Sequence, residues 1–575
     1  MDFADLTPGR SFVLNDFIRP LFPNVQALME ADTFTPRRLV DYHEGGLELT
    51  LDHALSLLGA ELTRRVRGRE QPLRVALAPA GGLLERAVSL DVFSSIQLVG
   101  AFDSQCSKET VRHGVRVLPM TRIATERPDI VVLLSKNFAI SILDSIAEAS
   151  GGSLPEVYCP FYDAHAPLPP ALTSWAEGVN ELAASGPTVA VVCLRFYAPY
   201  YKRFVALRQA GVRTVLLTLL DKMSHTIPLG RLGSAFDLVH GAGGDAVAFL
   251  RLLQAVRPHC AHVISLANSS SFPALIAAGL QVPFLIEYVD LLTSIHSLES
   301  LAGQVGRELA EQEFACERYV LERASGLVSK SSDEADERMF AVHGVRLPTL
   351  KFFTYPLAEP REAAVRDESG PMSFVSIGGV HGGGPSPVLS LDMDIRKTIG
   401  TLTAQGLRLH IYNAYDDGED SAYDHLRALA REDAGFSYSP AVHPDVLIAT
   451  INSYDAGWFV DDYSSYCYDN FFFHTSTSSR FFDYIEAGLP IVILRELRFM
   501  ASLVEEHGLG YVIDYVDLPR LADIVTRSGL AECRERVAAF RGRHLMSRQI
   551  ERLAHFYERY AAGEGGSQAL GHSPD

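Results

Sequence analysis

The sequence predicts an α/β protein of parallel-sheet units in series, preceded by a helical segment. Three observations carry this. Apolar runs of strand length alternate with stretches of helical periodicity, the signature of βαβ units on a parallel sheet. Two tracts break the alternation, a Pro-rich one at 166–171 and a polar one rich in Glu, Arg and Ala at 359–370. A chain of 575 residues is also too long for one core, and the length suggests three or four domains.

In chain order, residues 1–70 read as mostly helical, because Leu47, Leu51, Ala54, Leu55, Leu58 and Leu62 recur at helical spacing. Arg64, Arg65 and Arg67 follow, where cations suit the end of a helix dipole. Residues 71–185 read as a smaller Rossmann-like unit with strands at 73–78, 96–102 and 129–134. Its Pro79-Ala-Gly-Gly run, with Asp103 further on, is a partial dinucleotide fingerprint lacking the full G-x-G-x-x-G spacing. A structural or regulatory role is expected there, behind a boundary near the Pro-rich tract that few contacts cross. Residues 186–365 form the next unit, with strands at 188–193, 213–218, 262–266, 283–288 and 326–330. Residues 366–562 form the last, with strands at 372–379, 407–412, 456–460, 490–494 and 510–513. Met546, Ile550, Leu553, Tyr557 and Tyr560 make one apolar stripe on a terminal helix, and 563–575 reads as a disordered tail.

Composition narrows the function classes. Hydrophobic residues at 47% and charged ones at 21% fit a packed globular protein rather than a disordered one. A net charge of -19 argues against nucleic acid or an anionic membrane as the main partner, since both require a basic face. Seven scattered cysteines without a C-x-x-C pair fit free thiols in a reducing compartment. With no signal-peptide pattern and no long apolar run, the expectation is a cytoplasmic protein without a transmembrane segment.

The chemistry concentrates in the last unit. Ser478-Ser-Arg-Phe-Phe-Asp-Tyr-Ile-Glu-Ala-Gly-Leu-Pro-Ile-Val-Ile reads as a helix, a glycine stop at Gly488 and a buried strand. The start of such a helix offers unpaired N–H groups and a positive dipole end to a diphosphate, and Arg480 adds a charged fork. Asp483, one turn on, is placed to take ribose hydroxyls. Ile377-Gly-Gly-Val-His-Gly-Gly-Gly follows the unit's first strand, where its glycines let backbone approach a ligand and His381 adds a donor. In the preceding unit, Glu287 and Asp290 are two acids at one strand end, suited to a general base, to sugar hydroxyls, or to capping the next helix. Asp392-Met-Asp394 has a metal-binding form, but an acidic helix start is the preferred reading, and no metal site is expected. The aromatic tract 463–473 suits core and interface packing more than stacking on a sugar.

The Ser478 segment resembles the donor-binding helix of GT-B glycosyltransferases, particularly glycosyltransferase family 4, whose pattern runs roughly S-P-x-K-x-x-E-Y-x-A-x-G-x-P-V-V. Arg480 stands at the family's Lys, Asp483 at its ribose-binding acid, and Gly488-Leu-Pro490 at its G-x-P turn. The resemblance extends over residues 188–562, with Asp290 at the Asp of the family's P-x-V-x-x-H-D strand end. Many retaining members carry a second acid eight residues before the ribose-binding one; here that position is Thr475. The resemblance implies two facing Rossmann-like domains and sugar transfer from a nucleoside diphosphate sugar to an unidentified glycan, protein or small-molecule acceptor. It implies donor contacts from Gly378, Gly379, His381, Gly382, Ser479, Arg480 and Asp483, catalytic acids Asp290 and Glu287, and no cofactor or metal. The alternatives are a non-catalytic scaffold that binds sugar nucleotide and an epimerase of the same fold.

Overall fold

Parallel strand pairing organises three sheets in the computed structural model, with one antiparallel pair at an edge of the first. The structure describes residues 47–561 except 137, 152–154, 164–167, 169, 221–228, 266–269, 358–369, 380–394, 415, 417, 420 and 461–469. The first sheet contains β1 (Arg74–Ala78), β2 (Gln97–Asp103), β3 (Thr110–Arg112), β4 (Val115–Pro119), β5 (Ile130–Leu133) and β6 (Glu156–Tyr158), in the order β3-β4-β2-β1-β5-β6. The second contains β7 (Thr188–Cys193), β8 (Arg213–Thr218), β9 (Leu238–Gly241), β10 (Cys260–Ser265), β11 (Phe284–Tyr288), β12 (Gly326–Ser329) and β13 (Thr349–Lys351), in the order β13-β12-β11-β10-β7-β8-β9. The third contains β14 (Ser373–Gly378), β15 (Arg408–Asn413), β16 (Phe436–Ser439), β17 (Ala456–Phe459), β18 (Ile491–Leu494) and β19 (Gly510–Ile513), in the order β16-β15-β14-β17-β18-β19. Each sheet therefore reverses direction beside its own first strand, and that switch point is where open α/β sheets take ligands.

Helix α1 (Leu47–Val66) buries Ala54, Leu55, Leu58 and Leu62, the stripe that its spacing predicts. Residues 1–46 and 562–575 lie outside the described residues, as do most of the polar tract and the Asp392-Met-Asp394 motif. In the first unit, nothing lies within 4 Å of a Cβ built on Gly82, and Gly81 meets only Pro79 at 3.9 Å. Both positions therefore face open space rather than packed neighbours.

The Pro-rich tract is not a sparsely crossed boundary. Pro170 opens helix α2 (Pro170–Ser185), since a proline is tolerated in the first turn, where its missing N–H costs nothing. Arg213 Nη1 donates to the α2 carbonyl of Leu182 at 3.1 Å, and Asn180 Nδ2 donates at 3.0 Å to Ala255 O, at the end of the helix between β9 and β10. One apolar cluster then runs from Ala76 and Phe102 of the first unit, through Ala176 and Val179 of α2, to Val192 and Leu253 of the second. The period-two alternation of β7 explains this: Ala190 and Val192 face that cluster, while Val189, Val191 and Cys193 face the other way.

On that opposite face, helix α3 (Tyr201–Gln209) and the terminal helix α6 (Met546–Ala561) pack together. A second cluster joins Val191, Phe204 and Leu285 to Phe374, Trp458 and Ile493 of the third unit and to Ile550, Leu553 and Tyr557 of α6. The terminal stripe thus returns the chain to the second unit. Its anchor is polar as well: Tyr557 OH lies 2.6 Å from His262 Nδ1, deep in β10. The second and third units are thus two Rossmann-like sheets joined through this return helix.

Candidate functional site

The switch point of the third sheet lies between β14 and β17. Their pairing is recorded at Phe374↔Ala456 and Val375↔Gly457, and beyond it the strands run on to Gly378 and Phe459. Tyr484, on helix α5 (Ser479–Glu486), fills the gap. Its hydroxyl accepts from Ile377 N at 3.1 Å and donates to Trp458 O at 3.3 Å, so backbone groups of both diverging strands find a partner. The ring lies on Gly457, where an added Cβ would come within 2.3 Å of the Tyr484 ring. A glycine in β17 is therefore what lets α5 sit against the sheet.

With α5 fixed this way, Arg480 reaches the crevice. Its Nη1 donates to Ile377 O at 3.3 Å, and its guanidinium lies 4.6 Å from the centre of the Phe459 ring. Gly378 has φ +112°, and a Cβ there would stand 2.8 Å from Arg480 Cδ. Of the expected donor contacts, the fold thus brings Gly378 and Arg480 together at the carboxyl ends of β14 and β17. Half-buried Ser479 opens α5, and Gly379 is exposed one residue past β14. His381 and Gly382 lie outside the described residues.

Asp483 faces the second unit. Lys202 of α3 holds its Oδ1 at 2.8 Å and also bonds the Glu486 carboxylate one turn on. Burial disfavours the lysine's charge, but the two carboxylates outweigh it and raise its pKa above the ordinary value.

Asp290 stands just past β11, half-buried, with Lys330 Nζ 3.5 Å from its Oδ1. Lys330 also spans the two units, donating to Thr477 O at 3.3 Å, while Thr477 Oγ1 donates back to Lys330 O at 2.6 Å. These bonds hold the residues that lead into α5 against the strand ends of the second unit. Thr475, at the position of the family's second acid, is buried. Its Oγ1 donates to Phe471 O at 2.7 Å and its carbonyl accepts from Ser332 N at 2.7 Å. The described part of the aromatic tract packs between units as well, with Phe471 against the second unit's core and 4.2 Å from the Arg338 guanidinium on helix α4 (Asp333–His343).

Glu287 does not occupy the place expected of a catalytic acid. It is fully buried in β11, ion-paired with Arg203 of α3 and 3.0 Å from His262 Nε2. Burial alone would raise its pKa; Arg203 and His262 overcome that and hold it down to about 2. Strand alternation turns this carboxylate into the core, so it anchors the α3–β10–α6 packing and leaves Asp290 as the accessible acid of the pair. Lys202, Lys330 and Tyr484 are the site residues that the sequence did not disclose.

A family model described as a glycosyl transferase 4-like domain matches residues 173–347. That segment is similar to glycosyl transferase 4-like domains. It begins inside α2 and ends at the close of the second unit, so it covers α3 and β7–β12 with Lys202, Asp290 and Lys330. No curated protein sequence matches the chain. Among solved structures, the chain is similar to a glycosyltransferase involved in avilamycin A biosynthesis, at 15% identity and TM-score 0.40, covering 66% of this chain and 98% of that one. It is also similar to an α,α-trehalose-phosphate synthase (UDP-forming) from Burkholderia xenovorans, at 12% identity and TM-score 0.41, covering 65% and 100% of the two chains. A UDP-GlcNAc 2-epimerase from Methanocaldococcus jannaschii aligns at 10% identity and TM-score 0.38, covering 64% and 99%. No described helix is long and apolar enough to cross a membrane.

Proposed function

We propose that the chain transfers a sugar from a nucleoside diphosphate sugar, without a metal ion, to an acceptor held by the glycosyltransferase 4-like unit. The observation that carries this reading is Arg480 seated against Gly378 at the switch point of the third sheet, one residue into α5. A guanidinium there offsets the charge that develops on a leaving diphosphate, the main electrostatic demand of this chemistry. Ser479 and Gly379 flank the same position, and Asp483 is the acid for the ribose hydroxyls. Asp290 is the acceptor-side acid, oriented by Lys330. Apposition of the two units excludes water, the competing acceptor.

Thr475 favours a second reading, a scaffold that binds sugar nucleotide without transferring it, because the position of the family's second acid is taken by a buried structural threonine. Isotope-labelled donors separate the two. A transferase leaks labelled sugar to water from at least one donor, and does so equally in EDTA. Binding without any release supports the scaffold. Activity lost in EDTA and restored by manganese contradicts metal independence and makes Asp392 and Asp394 candidate ligands.

A further inference from the structure

Lys202 belongs to the glycosyltransferase 4-like unit, yet both of its carboxylate partners belong to the third unit. Asp483 and Glu486 stand one turn apart on one face of α5, where like charges repel. Their side chains are 20% and 5% exposed, so solvent alone does not relieve that repulsion. Arg541 Nη1 also donates to the Glu486 backbone carbonyl. Among the described residues, Lys202 is the side chain that bonds Asp483.

We propose that Lys202 is a positioning residue of the donor site. From the opposite unit it holds the Asp483 carboxylate in the orientation that accepts the donor's ribose hydroxyls. Ribose recognition and apposition of the two units then rest on one ion pair. Without the ammonium, two adjacent carboxylates share a poorly solvated face. Asp483 then loses the contact that orients it, and the ribose loses its acceptor. This inference rests on the reading of Asp483 as the ribose acid.

The test measures dissociation constants of the full chain for UDP, GDP, ADP and CDP and for their 2′,3′-dideoxy counterparts, in wild type, Lys202→Met and Lys202→Arg. Wild type is expected to prefer the ribose form by on the order of tenfold or more, the scale of hydroxyl bonds to a charged acceptor. Lys202→Met is expected to bring that preference close to unity while leaving the dideoxy ligand's affinity nearly unchanged, and Lys202→Arg to restore it. The inference is overturned if Lys202→Met keeps the wild-type preference, or if it weakens both ligands equally, which marks the pair as merely structural. A wild type that binds these ligands without preferring ribose removes the role assigned to Asp483. A wild type that binds none of them refutes the donor-site reading itself, and the inference falls with it.

Discussion

Replacing Gly457 by alanine tests whether the crevice is built as described. The new Cβ would stand 2.3 Å from the ring of Tyr484, far inside van der Waals contact. The ring cannot retreat freely, because its hydroxyl is tied to Ile377 N at 3.1 Å and Trp458 O at 3.3 Å. Overpacking of a tight core costs about 1–3 kcal/mol, and leaving a buried polar group unpaired costs about 1–3 kcal/mol more. The expected loss is therefore about 2–6 kcal/mol, or a fall of roughly 5–20 °C in the transition that includes the third unit. Scanning calorimetry of the full chain reads this directly, since a multidomain chain does not melt as one two-state unit. Tyr484→Leu in the Gly457→Ala background should relieve the clash, so that the double variant is more stable than the sum of the single losses predicts. A Gly457→Ala protein melting within about a degree of the parent, or strict additivity in the double variant, would refute the wedge.

Two further outcomes follow from the packing between units. Glu287→Gln leaves Arg203 buried without its counter-charge and should cost about 3–5 kcal/mol, read as a lower melting temperature; a neutral effect contradicts the anchoring role. The pH dependence has a definite sign. Glu287 is held at about 2 in the fold, below its unfolded value near 4.5, so its contribution is fully present above that unfolded value. It is lost as pH falls toward 2, and acid unfolding of the wild type should therefore be steeper than that of Glu287→Gln. Removal of residues 1–185 strips α2 and the first unit from an apolar cluster shared with the second sheet. The shortened chain should aggregate or bind hydrophobic dye; a soluble, cooperatively folding product would show that the shared cluster contributes little.

What the sequence disclosed was local. The 478–493 run carries a helix start, a glycine stop and a strand within one short stretch, so its chemistry could be read without knowing any partner. The cross-unit contacts could not be read that way. Lys202 meets Asp483 across 281 residues and Lys330 meets Thr477 across 147, and neither lysine sits in a distinctive local pattern. Glu287 was misread for a related reason. Two acids near a strand end look alike until the alternation of β11 sends one into the core, where Arg203, 84 residues away, compensates it. The tract at 166–171 looked like a breaker because prolines interrupt helices, but Pro170 sits where a helix tolerates one. The strands that pattern reading passed over, β3, β4, β6, β9, β13 and β16, are short and lie toward the sheet edges, where a brief alternation gives little signal.

The central claim is that the third unit holds a nucleoside diphosphate with Arg480 on its phosphates. It is tested most directly by calorimetric titration of wild type and Arg480→Ala with UDP, GDP, ADP and CDP and with the corresponding nucleosides. The account predicts that at least one diphosphate binds wild type more tightly than its nucleoside. It also predicts that Arg480→Ala weakens that diphosphate by about 1.5–3 kcal/mol, the scale of a charge-assisted hydrogen bond, with little change for the nucleoside. Equal loss of both ligands in Arg480→Ala, or no binding of any diphosphate by wild type, would contradict it.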